Sequence, residues 1–98
     1  VKTTYNIVHT TVAATPDVSQ LLPYNPRRLG FIMVNLGANE VCVAPDNQVS
    51  LTRGIYLALS GGTLTMVWTE DFEMSTLEWY AISNGVNAGF FILEVLTM

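Results

Sequence analysis

Histidine and cysteine, which carry much of protein catalysis and metal binding, occur once each in this chain, as His9 and Cys42. A general base or a metal site needs partner groups that converge on the imidazole, and the sequence singles out none, so we interpret His9 as an ordinary strand residue. Cys42 lies between Val41 and Val43, where cysteine packs as a small hydrophobic residue. The sequence therefore predicts no catalytic residue and no intrachain disulfide.

The densest charge is the acidic stretch at Glu70, Asp71 and Glu73. Carboxylates of this kind can hold Ca²⁺, which takes about six to eight oxygen ligands, but the glycine spacing of a calcium loop is missing. Gly61-Gly62 does not match a phosphate-binding loop either, because no lysine follows and no helix opens behind it. We expect the acidic stretch to be a solvated loop and Gly61-Gly62 to be a hairpin turn, and we expect neither to bind a metal or a cofactor. A contact with a basic partner is the alternative for the acidic stretch.

The composition narrows the class of protein. Of 98 residues, 50% are hydrophobic and 12% charged, against about 25% charged in a typical globular chain, so intrinsic disorder is excluded. The net charge of −4, with only four basic residues, argues against a nucleic-acid partner. No apolar run approaches the roughly 20 residues of a membrane-spanning helix, and we expect no signal peptide. The apolar excess predicts burial against other subunits.

The pattern along the chain is that of strands joined by turns. Val, Ile and Thr supply 27 of the 98 residues, and β-branched side chains favour sheets. Turn sequences such as Pro45-Asp46-Asn47 and Asn84-Gly85 recur about every 8–12 residues, and no helical periodicity interrupts them. We predict an all-β fold, a small antiparallel β-sandwich or jelly-roll-like barrel. Residues 1–15 would form an N-terminal strand or arm, and residues 16–98 a single sandwich domain.

Adjacent aromatic residues suggest where subunits meet. Neighbours on a strand point to opposite sides of the sheet, so one member of each aromatic pair should face outward, and aromatic residues often anchor interfaces. The N-terminal arm is rich in threonine and could pair with the sheet edge of a neighbour. The predicted interface residues are Tyr5, Ile7, Trp79, Tyr80, Phe90 and Phe91.

Several stretches resemble small structural proteins of tailed-phage virions. Arg28 leads a strand into an Asn35-Leu36-Gly37 turn, and residues 41–50 read Val-Cys-Val-Ala-Pro-Asp-Asn-Gln-Val-Ser. A late Tyr-Ala-Ile-Ser strand follows at 80–83. The resemblance covers residues 27–96, with Arg53 where asparagine is usual and Tyr56 where proline is common.

This resemblance implies a non-enzymatic protein of the virion surface, assembled in the host cytoplasm. It would decorate or cement the capsid, docking on the major capsid protein or another virion protein. The apolar excess independently predicts a homo-oligomer, most simply a trimer on grounds of symmetry, and the acidic composition predicts no binding to nucleic acid or membrane. The alternative is a receptor- or carbohydrate-binding module of a head or tail fibre, in which Trp79-Tyr80 would stack on sugars and loop carboxylates would bind hydroxyls.

Overall fold

The computed structural model describes residues 5–68 and 72–97, and the side chains of residues 5, 6, 72 and 88 lie outside the description. Within these residues the chain forms eight strands, and a short 3-10 helix spans Phe72–Ser75. The strands are β1 (Tyr5–Ala14), β2 (Ser19–Leu22), β3 (Arg28–Asn35), β4 (Val41–Ala44), β5 (Ile55–Leu57), β6 (Gly62–Val67), β7 (Trp79–Ser83) and β8 (Asn87–Thr97).

The strands lie in two four-stranded antiparallel sheets. The first sheet has the order β1-β8-β3-β6 and the second the order β2-β7-β4-β5. The chain therefore doubles back on itself, so that β1 pairs with β8, β2 with β7, β3 with β6 and β4 with β5. Eight strands wrapped in this order into two sheets form a jelly roll. The predicted small antiparallel sandwich with jelly-roll character is confirmed.

The core lies between the two sheets and takes alternate residues from each strand, as the two-residue period of a strand requires. Trp79 is fully buried, its ring packs edge-on against Phe31 at 5.3 Å between centroids, and its indole N–H donates to the Met74 carbonyl at 3.1 Å. Other buried core residues are Leu22, Met33, Val41, Val43, Leu57, Ala81, Phe90 and Ile92.

Residues 5–14, in the segment predicted as an N-terminal strand or arm, form β1, a strand of the first sheet. β1 pairs with β8 along its length, from Tyr5↔Thr97 to Ala14↔Asn87. Ala14 is fully buried, and Val12 packs against the core. This segment has few bulky apolar residues, and its backbone hydrogen bonds to β8 bring it into the first sheet. Residues 1–4 lie outside the described structure.

A buried arginine connects the first sheet to the loops at one end of the sandwich. A β-bulge between Arg28 and Gly30 places the Arg28 side chain in the interior, where it is 1% exposed and its Nε donates to Glu94 at 2.8 Å. Its two terminal nitrogens donate to the Pro23 carbonyl at 2.9 Å and the Leu77 carbonyl at 3.2 Å. Arg28 thereby fixes the loop before β3 and the segment before β7.

Candidate functional site

The first sheet has a solvent-facing side that we call the outer face. Paired residues in an antiparallel sheet point to the same side, so the strand register places three rows of four residues on this face. The rows are Ile7-Val95-Gly30-Val67, His9-Leu93-Ile32-Thr65 and Thr11-Phe91-Val34-Thr63.

The outer face contains no Asp, Glu, Lys or Arg. Only two charged residues occur in the four strands of this sheet, Arg28 and Glu94, and both point inward, where they form the buried ion pair. Ile7 is 56% exposed and Ile32 is 38% exposed on this face. Contiguous apolar surface of this kind, without charge, commonly marks an interaction site.

A shallow apolar depression of about 260 Å³ lies on the outer face, over β8, β3 and β6. It forms over Gly30, which has no side chain, and Ile32, Val67, Leu93 and Val95 line it. A Cβ on Gly30 would lie 2.8 Å from the Met66 carbonyl oxygen, so the close approach of β3 to β6 requires glycine here. The depression is wide enough to receive one apolar side chain from a partner.

The strand β1 borders the outer face and has one free edge. In the described sheet β8 lies on one side of β1, and no strand pairs with the other side. Natural edge strands are usually protected by charge, proline or shortness. β1 has ten residues and contains no Asp, Glu, Lys, Arg or Pro. This edge therefore offers free backbone groups beside the apolar face.

Two of the predicted interface residues are core residues. Trp79 and Phe90 are fully buried, because their strand positions point between the sheets, so neither is available to a partner in this structure. The outward members of the two aromatic pairs are Tyr80 and Phe91, as the alternation requires. Sequence reasoning could not decide which member of each pair points outward.

The remaining predicted interface residues do not share one surface. Ile7 and Phe91 both lie on the outer face, where the Phe91 ring is 5.9 Å from the His9 ring. Tyr80 lies on the solvent-facing side of the second sheet, where its hydroxyl hydrogen-bonds to Glu78. The backbone of Tyr5 pairs with Thr97, and its side chain is outside the described structure.

Residues that sequence reasoning missed make up most of the outer face. Ile32, Val34, Leu93 and Val95 belong to apolar runs that read as core strands. The available signal was the continuity of those runs, because a strand of an antiparallel sheet with only one buried face alternates apolar and polar residues. An unbroken apolar run in such a sheet makes both of its faces apolar.

The single cysteine and histidine have the surroundings expected of structural residues. Cys42 is buried, its thiol donates to the Leu51 carbonyl at 3.6 Å, and burial, followed by the charge of Glu40, raises the pKa of the thiol. A raised pKa lowers the population of the reactive thiolate at neutral pH. His9 is exposed on the outer face. The predicted acidic loop at Glu70 and Asp71 falls outside the described residues.

The search for known relatives returned no family model, curated protein or solved structure that matches the chain. Among the described residues, no three His, Cys, Asp or Glu side chains lie together as metal ligands. No helix of the described chain has the length and apolarity to cross a membrane.

Proposed function

We propose that the protein is a non-enzymatic structural subunit of a phage virion, which self-associates through its outer face and reinforces the capsid. The observation that carries the proposal is the absence of charged side chains from this apolar face. The sequence resemblance to small virion proteins supplies the proposed location. Jelly rolls are also common among viral capsid proteins, although a fold alone does not determine function.

A second copy of the chain is the occupant best suited to the outer face. Burying an unpaired charge at an interface is costly, and two outer faces brought together bury none. The acidic residues described in the structure lie away from this face, so the net charge of −4 does not oppose such a contact directly. The free edge of β1 is continuous with the face and extends the same contact by strand pairing.

The size of the outer face sets the expected strength of self-association. Four strands about 4.8 Å apart and three rows about 7 Å apart span roughly 20 Å by 20 Å. Stable contacts usually bury about 800 Å² per partner, so the outer face alone provides a small contact. We expect association that depends on protein concentration and that strengthens where many copies are held side by side, as on a capsid.

Sedimentation equilibrium of the purified protein tests the self-association. Ile32→Lys places a charge in the centre of the outer face and should shift the protein to monomer. Val86→Lys is the matched control, because Val86 is an exposed aliphatic residue in the turn between β7 and β8, outside the face. Equal dissociation of both variants, or a wild-type protein that remains monomeric at all concentrations, contradicts the proposed contact.

The virion assignment has its own test. Mass spectrometry of purified particles should detect the protein, and particles that lack it should release their genome at lower temperature. Adding back the wild-type protein should restore their stability, whereas adding Ile32→Lys should restore it poorly. Particles of unchanged stability and composition without the protein would overturn the capsid-reinforcing role.

A further inference from the structure

A groove on the other side of the molecule is not used by the proposed self-association. It has a volume of about 330 Å³ and lies where the loops before β3 and after β4 meet the start of β7. The rings of Tyr24 and Tyr80, together with Pro45 and Leu77, form its apolar lining, and Asp46 and Glu78 contribute carboxylates. Among the described residues, no Lys, Arg or His lines this groove.

The Tyr24 ring is exposed in the groove, but the backbone on both sides of Tyr24 is anchored. Tyr24 is 58% exposed, yet the residue before it and the residue after it are anchored. The Pro23 carbonyl accepts a hydrogen bond from buried Arg28 at 2.9 Å, and the Asn25 N–H donates to the Thr76 carbonyl at 2.9 Å. An exposed aromatic platform on an anchored backbone loses little conformational entropy when a ligand binds.

Both carboxylates are oriented by hydrogen bonds that use one of their two oxygens. Glu78 Oε2 accepts from Gln20 Nε2 at 3.0 Å and from the Tyr80 hydroxyl. Asp46 Oδ1 accepts from the Gln48 N–H at 2.9 Å. Among the described residues, no hydrogen bond reaches the second oxygen of either carboxylate. Each therefore retains an acceptor for a donor from outside.

A second, smaller groove of about 180 Å³ repeats the same chemistry next to the first. It shares Tyr24 and Leu77 with the first groove and adds Trp68, which is 43% exposed, and Glu73. Its lining, as far as the structure describes it, contains no basic residue. The Tyr24 ring thus stands between two hollows, each with an aromatic surface and at least one carboxylate.

We infer that the two grooves together bind a linear cationic ligand, which places one ammonium or guanidinium group in each groove. A cation gains from the face of an aromatic ring and from charge-assisted hydrogen bonds to carboxylates. The shared Tyr24 wall suits a ligand that carries two such groups, which a polyamine or a basic peptide segment both supply. An anionic ligand would be repelled by three carboxylates without a compensating base.

Neutral sugars are the competing ligand class, since they also stack on aromatic rings and donate hydroxyls to carboxylates. Removing the charge of the carboxylates distinguishes sugars from cationic ligands. Changing a carboxylate to the corresponding amide keeps a hydrogen-bond acceptor for a hydroxyl but removes the attraction for a cation. The cationic ligand is favoured here because the three side chains charged at neutral pH in the described lining, Asp46, Glu73 and Glu78, are all carboxylates.

Isothermal titration calorimetry and amide chemical shifts test the inference on the full chain. The probes are spermidine, a short glycine peptide with two arginines, the same peptide with two glutamates, and a neutral oligosaccharide. Asp46→Asn and Glu78→Gln each keep their internal hydrogen bonds and should weaken binding of the cationic probes about threefold. Tyr24→Ala should weaken it roughly two- to fivefold. Asp17→Asn is the matched control, because Asp17 is exposed and lines neither groove.

The expected result is saturable binding of spermidine or of the arginine peptide, with shifts around Tyr24, weakened by the three groove variants and not by Asp17→Asn. The stronger of these two cationic probes identifies the source. Absence of binding by both, equal effects of all four variants, or oligosaccharide binding that survives Asp46→Asn and Glu78→Gln would overturn the inference. The groove variants leave the outer face intact, so the sedimentation experiment on self-association is judged separately.

Discussion

At the scale of single residues, Arg28 is the side chain on which the structure most depends. It is buried, pairs with Glu94, and donates to three backbone carbonyls, those of Pro23, Ser75 and Leu77. Removing one partner of a buried ion pair leaves the other charge uncompensated, at a cost of about 3–5 kcal/mol. Arg28→Ala should therefore lower the free energy of unfolding by about that amount in urea titration.

Arg27→Ala is the neighbouring control for this prediction. Arg27 is exposed, and its Nη2 donates to the Thr97 carbonyl at 2.8 Å, a hydrogen bond worth about 1 kcal/mol at most when it is solvated. Similar losses for the two variants would show that the buried network around Arg28 is not a principal source of stability.

The pKa of Tyr80 gives a second prediction at the scale of single residues. Its hydrogen bond to Glu78, followed by burial and the charge of that carboxylate, raises the pKa of the tyrosine above its ordinary value of 10.0. The folded state then holds the proton more tightly than the unfolded state. The resulting stabilisation is complete below about pH 10 and is lost as pH rises through the raised pKa.

Ultraviolet titration of tyrosinate measures the pKa of the tyrosines directly. In Glu78→Gln the titration of Tyr80 should move to lower pH, because the amide removes the charge that disfavours tyrosinate. Tyr56, whose pKa is raised by burial and by Glu40, should titrate as in the wild type. A titration curve identical to that of the wild type would contradict the assigned cause.

At the scale of elements, β1 is the strand that joins the outer face to a free edge. Deleting residues 1–10 would also expose β8, to which β1 is paired, so truncation mixes stability with association. A single charge on the edge strand is a cleaner change. Thr11→Lys should weaken self-association about tenfold or more, since it buries an unpaired charge in the contact.

Thr11→Val is the isosteric partner of this variant and should associate as tightly as the wild type. Thr11 is exposed, so circular dichroism of both variants should remain that of the folded protein. Unchanged sedimentation of Thr11→Lys would exclude β1 and its row from the contact.

At the scale of the whole molecule, the two surfaces should respond oppositely to salt. The outer face has no charged residue, whereas the grooves contain Asp46, Glu73 and Glu78. At about 1 M salt the Debye length falls to roughly 3 Å. Self-association should persist there, while binding of a cationic probe should weaken severalfold. Light scattering and calorimetry at two salt concentrations measure both, and dissociation of the oligomer by salt would show that ion pairs hold it.

The sequence by itself determined the features that depend on near neighbours in the chain. Turn residues such as Asn84-Gly85 and the β-branched composition predicted a small antiparallel sandwich, because local backbone preferences suffice for turns and strands. The two-residue period likewise predicted that Trp79 and Tyr80 point to opposite sides. The scarcity of charge predicted that part of the apolar surface would remain for partners.

Only the tertiary structure decided which side of each strand faces the core. A shift of one residue in register reverses every side chain of a strand, and the bulge at Arg28 is such a shift. Tertiary packing placed Trp79 and Phe90 inside and left Ile32 and Leu93 outside. It also paired β1 with β8 and brought Tyr24, Asp46 and Glu78 to one groove. These contacts join residues far apart in the chain, and their geometry follows from the packing of the two sheets, which no local pattern encodes.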